Sequence, residues 1–177
     1  MPGIKQAQKI VILGAESSGK SALAEMLAKR YQTVWVPEYL REFVDTQARV
    51  PKEQEQTGIA QEQLRREAVM LTQANQYLFC DTSPLMTWIY SDHYFRFADE
   101  ALTALADEHD YDFTLVTAPD FPWTPDGLQR ESPAVRQRIH ERLLSELEAR
   151  DIPHLLIEGS PEQRLEQVGF ALEFLME

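Results

Sequence analysis

"ILGAESSGKSAL", Ile12 to Leu23, decides the fold, because it holds Gly14-x-x-x-x-Gly19-Lys20-Ser21. A string this short recurs by chance, so its surroundings carry the argument. In front of it runs Lys9-Ile10-Val11-Ile12-Leu13, a short apolar run of the kind that forms a strand buried on both faces. Behind it runs Ser21 to Arg30, built almost wholly from good helix formers, with Leu23, Met26, Leu27 and Arg30 at helical spacing. Strand, glycine loop and helix in that order make a phosphate cradle. Gly14 and Gly19 permit backbone dihedrals and close approaches that a Cβ forbids. The loop Gly14, Ala15, Glu16, Ser17, Ser18, Gly19, Lys20, Ser21 and Ala22 then turns its N–H groups, with the helix N-terminus, toward phosphate oxygens. In that arrangement Lys20 reaches the β and γ phosphates and the Ser21 hydroxyl ligates Mg²⁺.

The length of 177 residues is that of one domain, 1–177, with a sizeable core. Lysine and arginine number 17 against 29 aspartates and glutamates, a net charge of −12. So acidic a surface repels polyanions, which disfavours nucleic acid and anionic membranes as partners. A small anionic ligand is still admitted, since one cationic pocket operates inside a negative envelope. Cys80 is the sole cysteine, so no intramolecular disulfide forms, and its apolar neighbours make it a buried, inert thiol. No apolar run approaches membrane-spanning length. The polar stretch Met1 to Gln8 has no secretory pattern, so a cytoplasmic location is expected. His93, His109, His140 and His154 are scattered without metal-ligand spacing.

Along the chain strands alternate with helices. A second strand is expected over Thr33–Val36, ending at Pro37, which cannot donate to a ladder. Glu53–Asn75 reads as a long helix with a sparse apolar stripe through Leu64, Ala68 and Leu71. A third strand, Tyr77–Cys80, ends on Asp81. Met86–Phe97 reads as helical, a further helix follows through Leu105, and Phe113–Val116 makes a fourth strand. Ser132-Pro133 is a helix cap with proline at the first helical position, followed by Val135, Ile139, Leu143 and Leu147. His154–Ile157 is the fifth strand. Ser160-Pro161-Glu162-Gln163 opens the last helix as a capping box, with Leu165, Val168, Leu172 and Leu175 facing inward. Five short apolar strands separated by helices predict a three-layer α/β fold, a parallel sheet covered on both faces.

Ligands of such sheets sit outside the carboxyl ends of the strands. Strand two runs into Glu38, Tyr39 and Arg41, strand three into Asp81, and strand five into Gly159. Asp81 has the placement of an aspartate that holds Mg²⁺, directly or through water; capping the next turn is its alternative role. Glu38 is placed to accept or orient the proton of an attacking hydroxyl, and Arg41 either pairs with Glu38 or clamps phosphate. Strand four is followed by a proline-rich segment containing Trp123, with Arg130, Arg136 and Arg138 after it. Cations on an element closing over ATP neutralise charge on a transferred phosphoryl group; surface pairing with Glu131 and Glu141 is the other reading. Trp123 stacks on a planar ring or anchors its loop.

"GAESSGKSAL", "VPEYLREF", "DTS" and "PWTPDGLQR" together resemble the kinase domain of the NadR regulators of NAD biosynthesis and its stand-alone relatives, in the same order over nearly the whole chain. The resemblance implies a P-loop nucleoside-kinase fold with strand order 2-3-1-4-5. It implies ribosylnicotinamide kinase activity: ATP, with Mg²⁺, phosphorylates the 5′-hydroxyl of nicotinamide riboside. Together with the strand-end reading above, this puts Lys20, Glu38, Asp81 and Arg130 in catalysis, Ser21 and Asp81 at the metal, Glu38, Tyr39, Arg41, Asp81 and Trp123 at the acceptor, and the phosphate loop with Gly159 at the nucleotide. Ser83 stands where that pattern has a second acid, and Gln129 intervenes before Arg130. A kinase for another nucleoside or nucleotide, or a nucleotide-binding module without catalysis, are the other functions compatible with the loop. A GTPase is disfavoured, since no N-K-x-D sequence is present.

Overall fold

In the computed structural model, which describes residues 6–122 and 132–175, five parallel strands form one sheet in the order β2-β3-β1-β4-β5. The strands are β1 (Gln8–Leu13), β2 (Trp35–Val36), β3 (Tyr77–Asp81), β4 (Phe113–Thr117) and β5 (His154–Ile157). The helices are α1 (Lys20–Arg30), α2 (Tyr39–Gln47), α3 (Gln56–Leu71), α4 (Pro84–Phe95), α5 (Glu100–Glu108), α6 (Pro133–Ala149) and α7 (Pro161–Leu175). This is a three-layer P-loop fold with helices on both faces of the sheet.

The two faces separate along β1 with the two-residue period of a strand. Ile10 and Ile12 pack with Leu23, Ala24 and Leu27 of α1 and Val168 and Leu172 of α7. Val11 and Leu13 point the other way, into a core completed by Leu85, Met86 and Ile89 of α4, Ala106 of α5, and Ile139, Leu143 and Leu147 of α6. Central strands covered twice are apolar throughout, which is why β1 and β3 read as unbroken runs. β5 lies at the edge, and His154 and Leu156 are exposed there.

β2 is shorter than the predicted Thr33–Val36. The Thr33 hydroxyl donates to Tyr77 O at 2.6 Å and accepts from Asn75 N at 2.8 Å, so a side chain replaces the ladder at that end. The predicted helix over Glu53–Asn75 divides into a 3₁₀ turn, Glu53–Glu55, and α3. Its buried residues are Ile59, Ala60, Gln63 and Glu67, whereas Ala68 of the expected stripe is exposed. Polar side chains that find partners inside override the apolar pattern there. Both predicted caps are present. Ser132 Oγ accepts from Val135 N, and Ser160 and Gln163 bond reciprocally at 2.8 and 3.2 Å. Among the described residues no helix is long and apolar enough to cross a membrane.

Candidate active site

The loop between β1 and α1 lies at the carboxyl edge of the sheet, and its shape follows from two glycines. Gly19 precedes α1 at φ 82°, a left-handed conformation, and a Cβ there would meet the Phe121 ring at 2.5 Å. Gly14 is held by proximity instead: a Cβ would stand 2.2 Å from Thr117 Oγ1 and 2.8 Å from Ser18 Oγ. That hydroxyl pair, 2.7 Å apart, stitches the loop to the end of β4. Gly14 thus serves beneath the loop, with its backbone in the core.

A cleft of about 210 Å³ opens over the loop, lined by Ala15 to Ala22 together with Glu38 and Arg41. Lys20 is almost fully buried beside it, with Nζ 2.9 Å from Glu38 Oε2 and 2.9 Å from Asp81 Oδ1. Burial alone would lower the Lys20 pKa; the charges of Asp81 and Glu38 reverse this and hold it well above the ordinary lysine value. The two carboxylates therefore favour the charged ammonium. Ser21 Oγ donates to the second Asp81 oxygen, Oδ2, at 2.6 Å. Strand β3 delivers Asp81 to this point fully buried, and Thr82 follows at φ 82° with its N–H on Ile12 O at 3.0 Å. A left-handed β-branched residue costs on the order of 1–3 kcal/mol, and such strain gathers at sites that need the backbone aimed. Ser83, where the resemblance has an acid, is buried and caps α4 through Leu85 N at 3.2 Å.

Glu38 also borders a second, narrower cavity, whose other lining includes Leu40, Gln63, Thr82, Met86 and Tyr90. Two cavities thus meet at one carboxylate that touches the buried lysine. A row of backbone N–H groups, a fixed cation and two carboxylates at that junction can bind an anion chain on one side and handle a proton on the other.

Of the other described residues singled out for the site in the sequence, none lines either cavity. Tyr39 lines neither cavity; the Arg66 guanidinium covers a face of its ring at 4.6 Å from the centroid. Gly159, at φ 97°, donates to Asp120 Oδ2 at 2.7 Å, and a Cβ there would strike Gln163 Oε1 at 2.3 Å, so it closes the capping box of α7. Arg136 is directed to backbone, with Nη1 donating to Ser17 O at 3.2 Å and Phe121 O at 2.8 Å. Arg138 is exposed, its charge felt by His93 on α4. Trp123 and Arg130 lie outside the described residues.

Sequence reasoning missed Arg164. This fully buried arginine donates from Nε to Gly159 O at 3.0 Å and from Nη2 to Ala118 O at 3.1 Å. It also bonds Ser18 O, pairs with Asp120, and lies 4.1 Å from the Phe121 ring centroid. One side chain therefore joins the phosphate loop to the loops after β4 and β5. Nothing in "SPEQRLEQ" separates it from a solvated helix arginine. Thr117 had a signal, a polar residue closing an apolar strand opposite Gly14.

The model of the AAA domain family matches residues 9–164. The trifunctional NAD biosynthesis/regulator protein NadR of Salmonella typhimurium is 30% identical over 144 residues, covering 78% of this chain and 35% of that protein. The chain thus spans little more than a third of the length of that relative. Among solved structures, NadR protein in complex with NR superposes with a TM-score of 0.76 at 18% identity, over 97% of this chain and 52% of the other. Thymidylate kinase from Candida albicans superposes with a TM-score of 0.68 at 15% identity, over 95% and 92% of the two chains.

Proposed function

The chain belongs to the AAA domain family, and from that premise we propose that it transfers the γ-phosphoryl group of ATP to the 5′-hydroxyl of nicotinamide riboside, giving nicotinamide mononucleotide. The observation that carries this reading is the meeting of two cavities at Glu38, with Lys20 Nζ 2.9 Å from its carboxylate. The loop cleft takes the phosphate chain, and the acceptor enters on the other side of Glu38, where the narrower cavity, about 30 Å³, has to widen to admit it. Similarity to NadR, and to a structure of NadR with NR, supports nicotinamide riboside as that acceptor. The similar fold of a thymidylate kinase supports transfer to a nucleoside or nucleotide.

In this reading the N–H groups of Ala15 to Ala22 hold the phosphates, with Gly14 packed beneath them, and Lys20 compensates the charge of the transferred group, joined by Arg130. Glu38 orients the 5′-hydroxyl and takes its proton as the oxygen attacks phosphorus and ADP leaves. Arg41, which lines the loop cleft, steadies the phosphates. The Tyr39 face that carries Arg66 is closed to a cationic ring, so stacking falls to Trp123.

A magnesium ion suits the donors present. Ser21 Oγ and Asp81 Oδ2, already 2.6 Å apart, are two hard oxygen ligands, and nucleotide phosphates supply others. Bound there, Mg²⁺ would polarise the phosphoryl oxygens. Among the described residues no cluster of three or more His, Cys, Asp or Glu side chains offers a metal site independent of the nucleotide. A net charge of −12 supports small-molecule work over nucleic-acid binding.

Incubation with ATP, Mg²⁺ and a panel of nucleosides, followed by mass measurement of the products, tests the proposal. Nicotinamide riboside is expected to gain one phosphoryl group. Transfer to thymidine or cytidine with none to nicotinamide riboside overturns the acceptor. An ATP-dependent rise in melting temperature with no product from any acceptor marks a binding module.

A further inference from the structure

We propose that Gln63 of α3 is the positioning residue for Glu38, an inference that rests on the role given to Glu38 above. Glu38 stands at the cap position of α2, where a side chain ordinarily accepts from the first N–H groups of the helix. Its carboxylate makes no such bond and turns to Lys20 instead. That leaves the helix start needing another partner, and Gln63 supplies it. Gln63 Oε1 accepts from Tyr39 N at 2.8 Å, and its Nε2 donates to Pro37 O at 3.2 Å. The two bonds bracket Glu38, one on the residue before it and one on the residue after.

The bracket matters because burial does not anchor the start of α2. α2 has no buried residue, so apolar packing does not hold its first turn in place. Gln63 itself is 3% exposed and sits between Ile59, Ala60 and Glu67 on the buried face of α3, so its rotamer is confined. A buried polar side chain in mid-helix is costly unless both halves of its amide are bonded, and here both are. The chemistry selects glutamine. Glutamate lacks the donor for Pro37 O, methionine lacks both functions, and asparagine is one methylene short. Arg66, one turn along α3, separately bonds Glu42 and covers Tyr39, so loss of the Gln63 bonds loosens Glu38 without releasing α2. Reacting groups misplaced by about 1 Å lose on the order of 10²-fold in rate.

Gln63→Met is therefore expected to lower kcat by about tenfold or more while KM for ATP changes less than about twofold. Placed on Glu38→Gln, the same substitution is expected to cost nothing further, because the group it positions has gone. Independent, multiplying losses in the double variant would make Gln63 merely structural. A raised KM for the acceptor with unchanged kcat would make its amide a substrate contact, and either result overturns the proposal. A measurement without substrate keeps it separate from the kinase reading. Amide hydrogen exchange at Tyr39 is expected to accelerate in Gln63→Met, and unchanged protection overturns the bracket even in a chain that phosphorylates nothing. Gln63→Asn keeps a polar amide in the helix and serves in every arm if the methionine variant does not fold.

Discussion

Lys20 Nζ lies 2.9 Å from Asp81 Oδ1, a buried ion pair between residues 61 apart in the chain. Glu38 completes the cluster from the other side, at 2.9 Å. Removing the cation takes away the charge that pairs both carboxylates. Breaking a buried pair in this way costs about 3–5 kcal/mol. Lys20→Met is therefore expected to melt well below wild type. Phosphoryl transfer is expected to fall by at least ~10²-fold. Wild-type turnover in the purified variant would remove Lys20 from the chemistry.

Asp81 faces both Lys20 and Ser21, so its charge and its metal-binding capacity are separable by an isosteric change. Asp81→Asn is expected to lower kcat by about tenfold or more while ATP affinity changes less, and EDTA is expected to abolish turnover of the wild type. Steady-state kinetics with and without chelator provide the check. A normal kcat in the variant would leave Asp81 a structural anchor for Lys20.

Glu67 predicts a pH dependence away from the site. Burial pushes its carboxyl up to about 7, against the smaller opposing pull of the Tyr111 hydroxyl and Lys9, with Asp110 adding to the rise. Tyr111 donates to Oε2 at 2.8 Å, and Oε1 has no partner. Since the folded value exceeds the unfolded one, the stabilisation is complete below the unfolded pKa near 4.5 and is lost as pH rises through 7. Glu67→Gln is expected to be more stable than wild type at pH ~8, by up to about 3 kcal/mol, with little gain near pH ~4. Thermal melts of both proteins across that range decide it. Parallel curves would mean that Glu67 ionises inside the fold without penalty.

Arg164 makes the phosphate loop depend on the last helix. Arg164→Met strands the carbonyls of Ser18, Ala118 and Gly159, each worth roughly 1–3 kcal/mol when buried without a donor. A loss of at least about 3 kcal/mol is expected in denaturant titration, with weakened ATP binding. Unaltered stability would show that water replaces the guanidinium at little cost.

The acceptor reading is tested at Trp123. Stacking between an indole and a cationic ring contributes ~0.5–2 kcal/mol, so Trp123→Ala is expected to raise KM for nicotinamide riboside about tenfold, with KM for ATP nearly constant. Tyr39→Leu serves as the contrast, because Arg66 already covers a face of that ring, and a much smaller rise is expected there. Equal effects at both positions would reassign the stacking face.

Local chemistry made the architecture readable. The apolar run before Gly14, the left-handed Gly19, the Ser132 cap and the reciprocal Ser160–Gln163 box each act within a few residues, so the sequence alone determined a phosphate loop on a parallel α/β sheet and most of its element boundaries. Glu38, Lys20, Ser21 and Asp81 were legible for the related reason that strand ends in such sheets converge on one edge. Which charges touch was decided only by tertiary structure. Arg164 meets Ser18 across 146 residues, and Gln63 reaches Tyr39 from a helix whose inward face carries Gln63 and Glu67 where an apolar stripe was expected. A guanidinium or an amide has the same hydrogen-bonding capacity in solvent as in a core. Its sequence neighbours do not reveal which carbonyls the folded chain will bring within 3 Å of it.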